Sequence, residues 1–436
     1  MLHSIDLKAE ALRIVDTILE GHRLHGTYLC STIIDGKKSE EPIIKDLGDY
    51  LPFFLYFGYT SYCRQHVRDI TSQLHNGLLP AQSKLFRIRV TSTYDHSDYL
   101  LGLMDYLNYV TDPEIETSLK LTLEAVWRKF FDRRFPSSYI SAPLGVALPF
   151  FDTKDGMYME IFADYYKTRK EDKFRDRALS LWRTLQKVRA KSKVQLLPVL
   201  VRHQSIKGWA LGSMSRIRAQ SHTIRVMKNN TNSLFGALSL FEIVASDEIA
   251  RSIREWVEAL TKYMITREGM VYNFGKLKDG SVSPFGPNLT AAFAVIDLLC
   301  DLSRCFDEER YLGRAEIIAK FWLSLQGKTG LFPLEPNGRA SYLDSETDMI
   351  VALQKLHDLS GDPIYAEAAQ RTFEGILKYH KRTSGYVLSV DTEKGDVVDG
   401  MLKTKFICLL LKVFILFLEG GSVYRNEDVF KLLRDR

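Results

Sequence analysis

Cysteine is scarce: five residues, Cys30, Cys63, Cys300, Cys305 and Cys408, are scattered over 436 positions with no CxxC spacing. An odd, dispersed set excludes a disulfide scaffold and a zinc site. It predicts buried thiols in a reducing compartment, the cytoplasm. Long apolar runs are also missing. The most apolar stretch, 406–418, is broken by Lys412 and is too short to cross a bilayer, so a buried helix is expected and no membrane partner. The N-terminal residues place acids inside an apolar stretch and lack a small-residue cleavage site, which reads as an amphipathic helix and not a signal peptide. Neither sign of charge dominates, with 59 Lys and Arg against 54 Asp and Glu. The one short basic stretch, 187–193, reads as a solvated face, and no nucleic-acid partner is expected. GxGxxG in a strand–helix context, GKS/T, HExxH and GxSxG are all absent, so neither cofactor nor metal is expected. Apolar residues at 45% and charged residues at 26% exclude disorder.

Repetition is what the sequence does have. An apolar helix, a short turn carrying Asp and often Gly or Pro, and an amphipathic helix recur from Tyr99, Tyr158, Leu234, Ala291 and Asp348. The clearest copy is DMIVALQKLHDLSGDPIYAEAAQRTFEGILKY. In each, the first helix is apolar nearly all round and the second carries a 3.6-residue stripe with charge opposite. The turn offers an Asp to cap the second helix, sometimes with Pro behind it. A helix apolar on every side has to be enclosed, and its one-sided partner encloses it. In series this builds an inner ring within an outer ring: an all-α, (α/α)7 toroid, with (α/α)6 the alternative count. The N-terminal pair, 5–21 and 46–57, and a last inner helix, 399–418, complete it. Residues 1–436 read as one toroid without a separable second domain, with strand under about a tenth.

The longer segments, 137–156, 190–232, 265–287, 327–345 and 381–398, each join an outer helix to the next inner one and so share one face. Alternation in MVYNF (270–274) and YVLSV (386–390) predicts short hairpins there. A ring with a loop-walled mouth makes a deep pocket. Polar groups collect where inner helices begin: Asp46 and Asp49; Tyr94 to Asp98; Asp152, Asp155 and Glu160; Asn229, Asn230 and Asn232; Asp344 to Asp348; and Asp396 and Asp399. Aromatics fall nearby at Tyr158, Trp209, Tyr272, Phe285 and Tyr342. Carboxylates around a pocket, with aromatic faces to stack on sugar rings, are what a glycosidase requires. Asp and Ser at helix starts are also ordinary caps, which applies to Asp95, Ser97, Asp152, Asp344 and Ser345. Capping does not explain Glu160 or Glu346, which lie inside apolar helices where an acid needs a partner or a task. The catalytic candidates are therefore Glu346, Asp95 and Glu160. The substrate-binding candidates are Tyr94, Asp98, Asp155, Tyr158, Asn232, Tyr272, Phe285, Tyr342 and Asp344.

Toward the C-terminus, LDSETD from Leu343, LSGDPIY from Leu359, SGY at Ser384, DGM at Asp399, KVFILF at Lys412 and YRNED at Tyr424 succeed one another. This quarter resembles the class I α-1,2-mannosidases, glycoside hydrolase family 47, whose catalytic domain is an (α/α)7 barrel. MEIFADYY from Met159 is similar to the family's L-E-F-x-x-L-S helix. The resemblance places Glu346 on the catalytic Glu of the family's R-P-E, with Asp344 and Ser345 where Arg and Pro stand. It places Asn426 on the calcium-binding Thr and Asn232 on the Asp of D-S-Y-Y-E-Y. The family's F-E-x-x-I-R acid is not reproduced, although Asp95 sits beside its place. The acids that would balance calcium are missing, so a sugar pocket without tightly bound calcium is expected.

Three functions remain open. The leading one is a glycosidase acting on an oligosaccharide, with Glu346 as base or nucleophile and Asp95 or Glu160 as acid. The second is a non-catalytic glycan-binding or scaffold toroid. The third is a sugar epimerase or polysaccharide lyase, with His96, His222, Tyr94 or Tyr158 carrying protons; His96, His203 and His222 form a base or a metal site only where the loops bring them together. Toroids host all three, so fold alone does not choose. Nothing in the sequence addresses the oligomeric state.

Overall fold

The computed structural model describes residues 6–81, 83–85, 88–133, 135–202, 221–421, 424, 428, 429 and 432. The sequence candidates His203, Trp209 and Asn426 lie outside these. Fourteen α-helices are found among the described residues. In chain order the first seven are α1 (Leu7–Gly21), α2 (Leu51–Tyr56), α3 (Thr60–Thr71), α4 (Tyr94–Tyr109), α5 (Pro113–Val126), α6 (Tyr158–Arg169) and α7 (Asp172–Ala190). The others are α8 (Asn232–Val244), α9 (Asp247–Met264), α10 (Leu289–Phe306), α11 (Glu309–Leu323), α12 (Leu343–Ser360), α13 (Pro363–Gly375) and α14 (Thr404–Leu418).

Even-numbered helices form the inner ring and odd-numbered helices the outer one. Around the ring α2 packs on α4, α4 on α6, α6 on α8, α10 on α12 and α12 on α14, which packs back on α2, while α10 meets the 226–231 turn that leads into α8. Seven hairpins thus close an (α/α)7 toroid. Its seventh hairpin is made from the two ends of the described chain, α1 lying against α14. Their contact is locked by the antiparallel register of Thr32 with Lys403 and of Ile33 with Leu402. The core lies between the rings, with buried aromatics such as Trp256, Trp322, Tyr106 and Phe162. The stretch containing Lys412 is a buried helix, and no helix among the described residues is long and apolar enough to cross a membrane. The cysteines are unpaired thiols, four buried and Cys305 half-buried.

The turns from inner to outer helix follow the repeat, with some variation. Asp112 and Asp362 cap α5 and α13 through their side chains, each with Pro behind. At α9 the cap position is Ser246, and Asp247 is already the first helical residue. Left-handed residues end four inner helices: Lys170, Ala245, Asp307 and Gly361.

Among the described residues the outer-to-inner loops share one face and carry sixteen strands of two to seven residues, somewhat more than the tenth expected. The excess has a clear source. Besides the five long segments expected, 22–50 and 72–93 also contain strands, and most loops pair with a neighbour. Ile88–Ser92 pairs with Tyr139–Ser141, Phe150–Asp152 with Leu200–Arg202, and Thr223–Arg225 with Tyr272–Lys278. Ala340–Tyr342 pairs with Ser389–Asp391. Where no strand pair bridges the loops before α10 and α12, Leu289 N–H donates to the Leu334 carbonyl at 2.8 Å. The result is a collar of small sheets around the mouth.

Candidate active site at the mouth of the ring

The outer ring covers the outward faces of the inner helices, so inner-helix residues that keep some exposure mark the lumen. They recur at helical spacing: Tyr94, Asp98 and Leu101 on α4; Glu160 and Asp164 on α6; Asp344 and Asp348 on α12; Lys405 and Lys412 on α14. The lumen is lined with charge, although these helices are apolar on their other faces.

At the mouth, the side-chain oxygens of Asp46, Asp49 and Asp98 lie within 4.8 Å of one another. Lys405 Nζ sits among them, 2.6 Å from Asp49, 3.0 Å from Asp46 and 3.9 Å from Asp98. Three carboxylates would suit a divalent cation by donor type, but the Lys405 ammonium already stands there. Burial works against that ammonium, yet Asp49, Asp98 and Asp46 outweigh it and hold Lys405 firmly protonated. Asp98 is the least directly paired of the three. Burial, reinforced by Asp49 and only partly offset by Lys405, raises its carboxyl from 3.8 to about 7.

Glycine brings these acids together. A Cβ on Gly102 of α4 would lie 2.7 Å from Gly48 N, and one on Gly48 would lie 2.9 Å from the Asp98 carbonyl. The turn 47–49 therefore lies backbone to backbone on α4, and Asp49 reaches Asp98. The same device recurs where Gly156 meets Ser233 and Gly236 of α8.

Tyr94 also has cations around its ring. Lys154, Lys228 and Lys45 place their Nζ atoms 4.1, 5.4 and 5.6 Å from its ring centroid. Burial, together with Arg225, Lys154 and Lys405, lowers Lys228 from 10.5 to about 8. Arg225 lies 5.4 Å over Phe274, which stacks on Phe285 at 5.5 Å. Deeper down, Lys355 pairs with Asp297 at 2.5 Å and Asp301 at 2.7 Å. There burial raises Asp348 to about 7, against the pull of nearby Lys412.

The sequence-derived candidates separate into two groups. Tyr94, Asp98, Asp344 and Glu160 are half-buried on lumen stripes, and Asn232 opens α8 half-buried at the same level. Tyr272 and Tyr342 are half-buried in rim strands just before α10 and α12, and Phe285 stands 42% exposed on the rim. The second group is turned away from the lumen. Glu346 is fully buried, and its Oε1 accepts from Phe332 N–H at 2.7 Å and Ser341 Oγ at 2.8 Å. It lies two residues from Asp344 and from Asp348, on the other side of α12. Burial raises it from 4.5 to about 8. Asp95 is fully buried in a reciprocal cap with Ser92 and accepts from Ser83 Oγ at 2.6 Å. Asp155 accepts from Thr93 Oγ1 at 2.6 Å and from Ser138 Oγ. Tyr158 donates to the Thr93 carbonyl at 2.6 Å within the core.

The histidine candidates also leave the lumen. His96 is fully buried, with Nε2 accepting from Leu79 N–H at 2.9 Å and Nδ1 beside the Ser92 carbonyl at 2.8 Å. His222 is exposed on an outer cleft of about 910 Å³ over α7, lined also by Lys187, Lys191 and Lys193. Asn229 and Asn230 are buried struts, bonded to Asp152 and to Trp256 Nε1. The cations Lys45, Lys154, Arg225, Lys228 and Lys405 were missed by the sequence reading. For Lys405, a lysine in the first turn of an otherwise apolar inner helix was the available signal.

No family model and no curated relative matches the chain. Solved structures do. A sugar epimerase from a ruminal bacterium aligns with TM-score 0.60 and 12% identity, covering 87% of this chain and 99% of that one. A D-mannose isomerase gives 0.59 and 10%, covering 98% and 97%. The GH76 α-mannanase of Bacteroides thetaiotaomicron gives 0.55 and 10%, covering 99% and 98%. At such identities the likeness establishes the fold: the chain has the α/α-toroid architecture found in these carbohydrate-active enzymes. The finer likeness to class I α-1,2-mannosidases is not carried by these matches.

Proposed function

We propose that this chain is a sugar-processing α/α-toroid enzyme that hydrolyses a glycosidic bond at the mouth of its ring. The observation that carries the reading is the Asp49–Asp98 pair beside Lys405. Hydrolysis needs one protonated carboxyl to give its proton to the leaving oxygen and one ionised carboxylate to stabilise or attack the anomeric carbon. Asp98, raised to about 7, is the proton donor. Asp49, ion-paired to Lys405 at 2.6 Å, is the partner carboxylate. Oxygens within 4.8 Å match the roughly 5 Å spacing of retaining enzymes better than the roughly 6.5–9.5 Å of inverting ones. The C-terminal resemblance to mannosidases and the sugar-processing neighbours support a sugar substrate.

The test is Asp98→Asn. It should fold and bind sugar while losing turnover by on the order of 10²–10⁴, the usual worth of general acid–base catalysis. Activity of the native enzyme should fall as pH rises through about 7, where the Asp98 proton is lost. Full turnover by a folded Asn variant on a confirmed substrate would refute the assignment. A second reading, epimerisation, is favoured by Lys228: lowered to about 8 beside Tyr94, it is suited to abstracting a carbon-bound proton. Solvent deuterium in recovered sugar would mark that chemistry, and its absence from hydrolysis products would exclude it.

A further inference from the structure

Several cations near Tyr94 lack an ion-paired carboxylate, although Asp98 and Asp152 act on Lys228 and Arg225 from farther off. Lys405 is balanced by Asp46, Asp49 and Asp98, and Lys154 lies 3.6 Å from Asp152. Lys45, Lys228 and Arg225 have no carboxylate within ion-pair distance among the described residues. Arg225 Nε is buried without a hydrogen-bond partner. The segment 203–220, between the rim strands Leu200–Arg202 and Thr223–Arg225, contains Lys207, Arg216 and Arg218 and no acid. Arg225 is also held in place, with its guanidinium against Phe274 and Phe274 stacked on Phe285. Lys228 sits in the widened helical turn 226–231 just before α8, a geometry frequent at functional sites. Like charges brought together and partly dried repel, which costs stability unless an anion joins them.

We propose that Lys45 and Lys228 beside Tyr94, with Arg225 three residues from Lys228 and none of the three ion-paired among the described residues, form a subsite for the anionic group of an acidic sugar, a carboxylate or a sulfate or phosphate ester. The sugar ring then lies between this cluster and the Asp49–Asp98 pair. Its charge is neutralised on the basic side and its glycosidic oxygen faces the acids. This rests on the sugar reading above and adds the substrate class to it. Guanidinium and ammonium groups suit such anions through charge-assisted hydrogen bonds.

The full chain is titrated calorimetrically with three disaccharides of equal size: neutral, uronate-bearing and sulfated. One anionic ligand should bind at least about tenfold more tightly than the neutral one, with the advantage shrinking as salt rises. Comparison of the uronate and sulfated arms identifies the anion. The Arg225→Met, Lys228→Met double variant should reduce anionic binding to the neutral level. Lys45→Met, at a half-buried surface position, should weaken the same ligand by a smaller factor and provides a second reading independent of the double variant's folding. Equal affinity for neutral and anionic sugars, or anionic binding indifferent to both variants, would overturn the proposal. Turnover separates the two readings. Anion-selective binding lost in these variants, without hydrolysis of any ligand, upholds the subsite and refutes hydrolysis. Hydrolysis of a neutral sugar with no preference for an anionic one does the reverse.

Discussion

Asp95 and Asp98 occupy one turn of α4 and have opposite surroundings. Three residues of helix rotate Asp98 into the lumen and leave Asp95 behind the wall, where Ser83 and Ser92 consume its acceptors. Glu346, two residues from both Asp344 and Asp348, lies on the opposite side of α12 from them. Its raised value sets a pH signature with a definite sign. The folded chain keeps a proton that the unfolded chain releases near 4.5, so this contribution is complete below 4.5 and is lost as pH rises through about 8. Glu346→Gln should therefore flatten the loss of melting temperature between about pH 4.5 and about 8 while leaving turnover nearly intact. A large loss of turnover in a folded variant would return Glu346 to the mechanism. At Lys405 the expectation is chemical: with an ammonium between Asp46 and Asp49, EDTA should change neither melting temperature nor activity. Loss of either on chelation would show that a metal takes part.

Among the elements, the deciding contact is the approach of the 47–49 turn to α4. Only hydrogen at both Gly48 and Gly102 permits that distance, since a methyl at 102 would meet backbone atoms that cannot rotate away. Gly102→Ala should cost about 1–3 kcal/mol by overpacking. Because it pushes Asp49 from Asp98, it should also lower turnover more than its loss of stability implies, measured at a temperature where the variant remains folded. An alanine variant with native stability and rate would show that the turn has room to shift. The glycines were visible in the sequence as DLGD and YLLGLM. Their meeting was not, because it joins segments from two different hairpins.

For the molecule as a whole, closure of the ring carries its own pH dependence. Glu10 of α1 bonds Arg13 Nη2 at 2.7 Å, Lys381 at 2.9 Å and Tyr386 Oη at 2.8 Å. Burial raises its value, but these partners outweigh it and lower Glu10 from 4.5 to about 2. Here the sign is opposite to that of Glu346: the contribution is present above 4.5 and is lost as pH falls through about 2. Glu10→Gln should destabilise by about 2 kcal/mol at neutral pH and by less in acid. Since α1 completes the ring against α14, the loss should appear in one cooperative transition of the whole toroid, followed by calorimetry. A separate early transition confined to the N-terminal helix would contradict that coupling.

Fold class was legible because it depends on periodicity. Helices apolar on nearly every side alternate with one-sided partners, and burial of apolar surface leaves few arrangements besides nested rings. The location of the mouth was legible for a related reason, since unequal loop lengths assign all the long connections to one face. The choice of site residues was not legible at that level. Asp95 and Asp98, or Glu346 and Asp348, differ in the sequence by a fraction of a helical turn, and the rotation of each helix is set by packing against neighbours far away in the chain. Nor could the sequence pair Lys405 with Asp46, Asp49 and Asp98, or gather Lys45, Lys228 and Arg225 around Tyr94. Lys405, the Asp46 and Asp49 turn, and Asp98 come from different hairpins, as does Lys45 from Arg225 and Lys228, and only closure of the ring brings them within reach of one another.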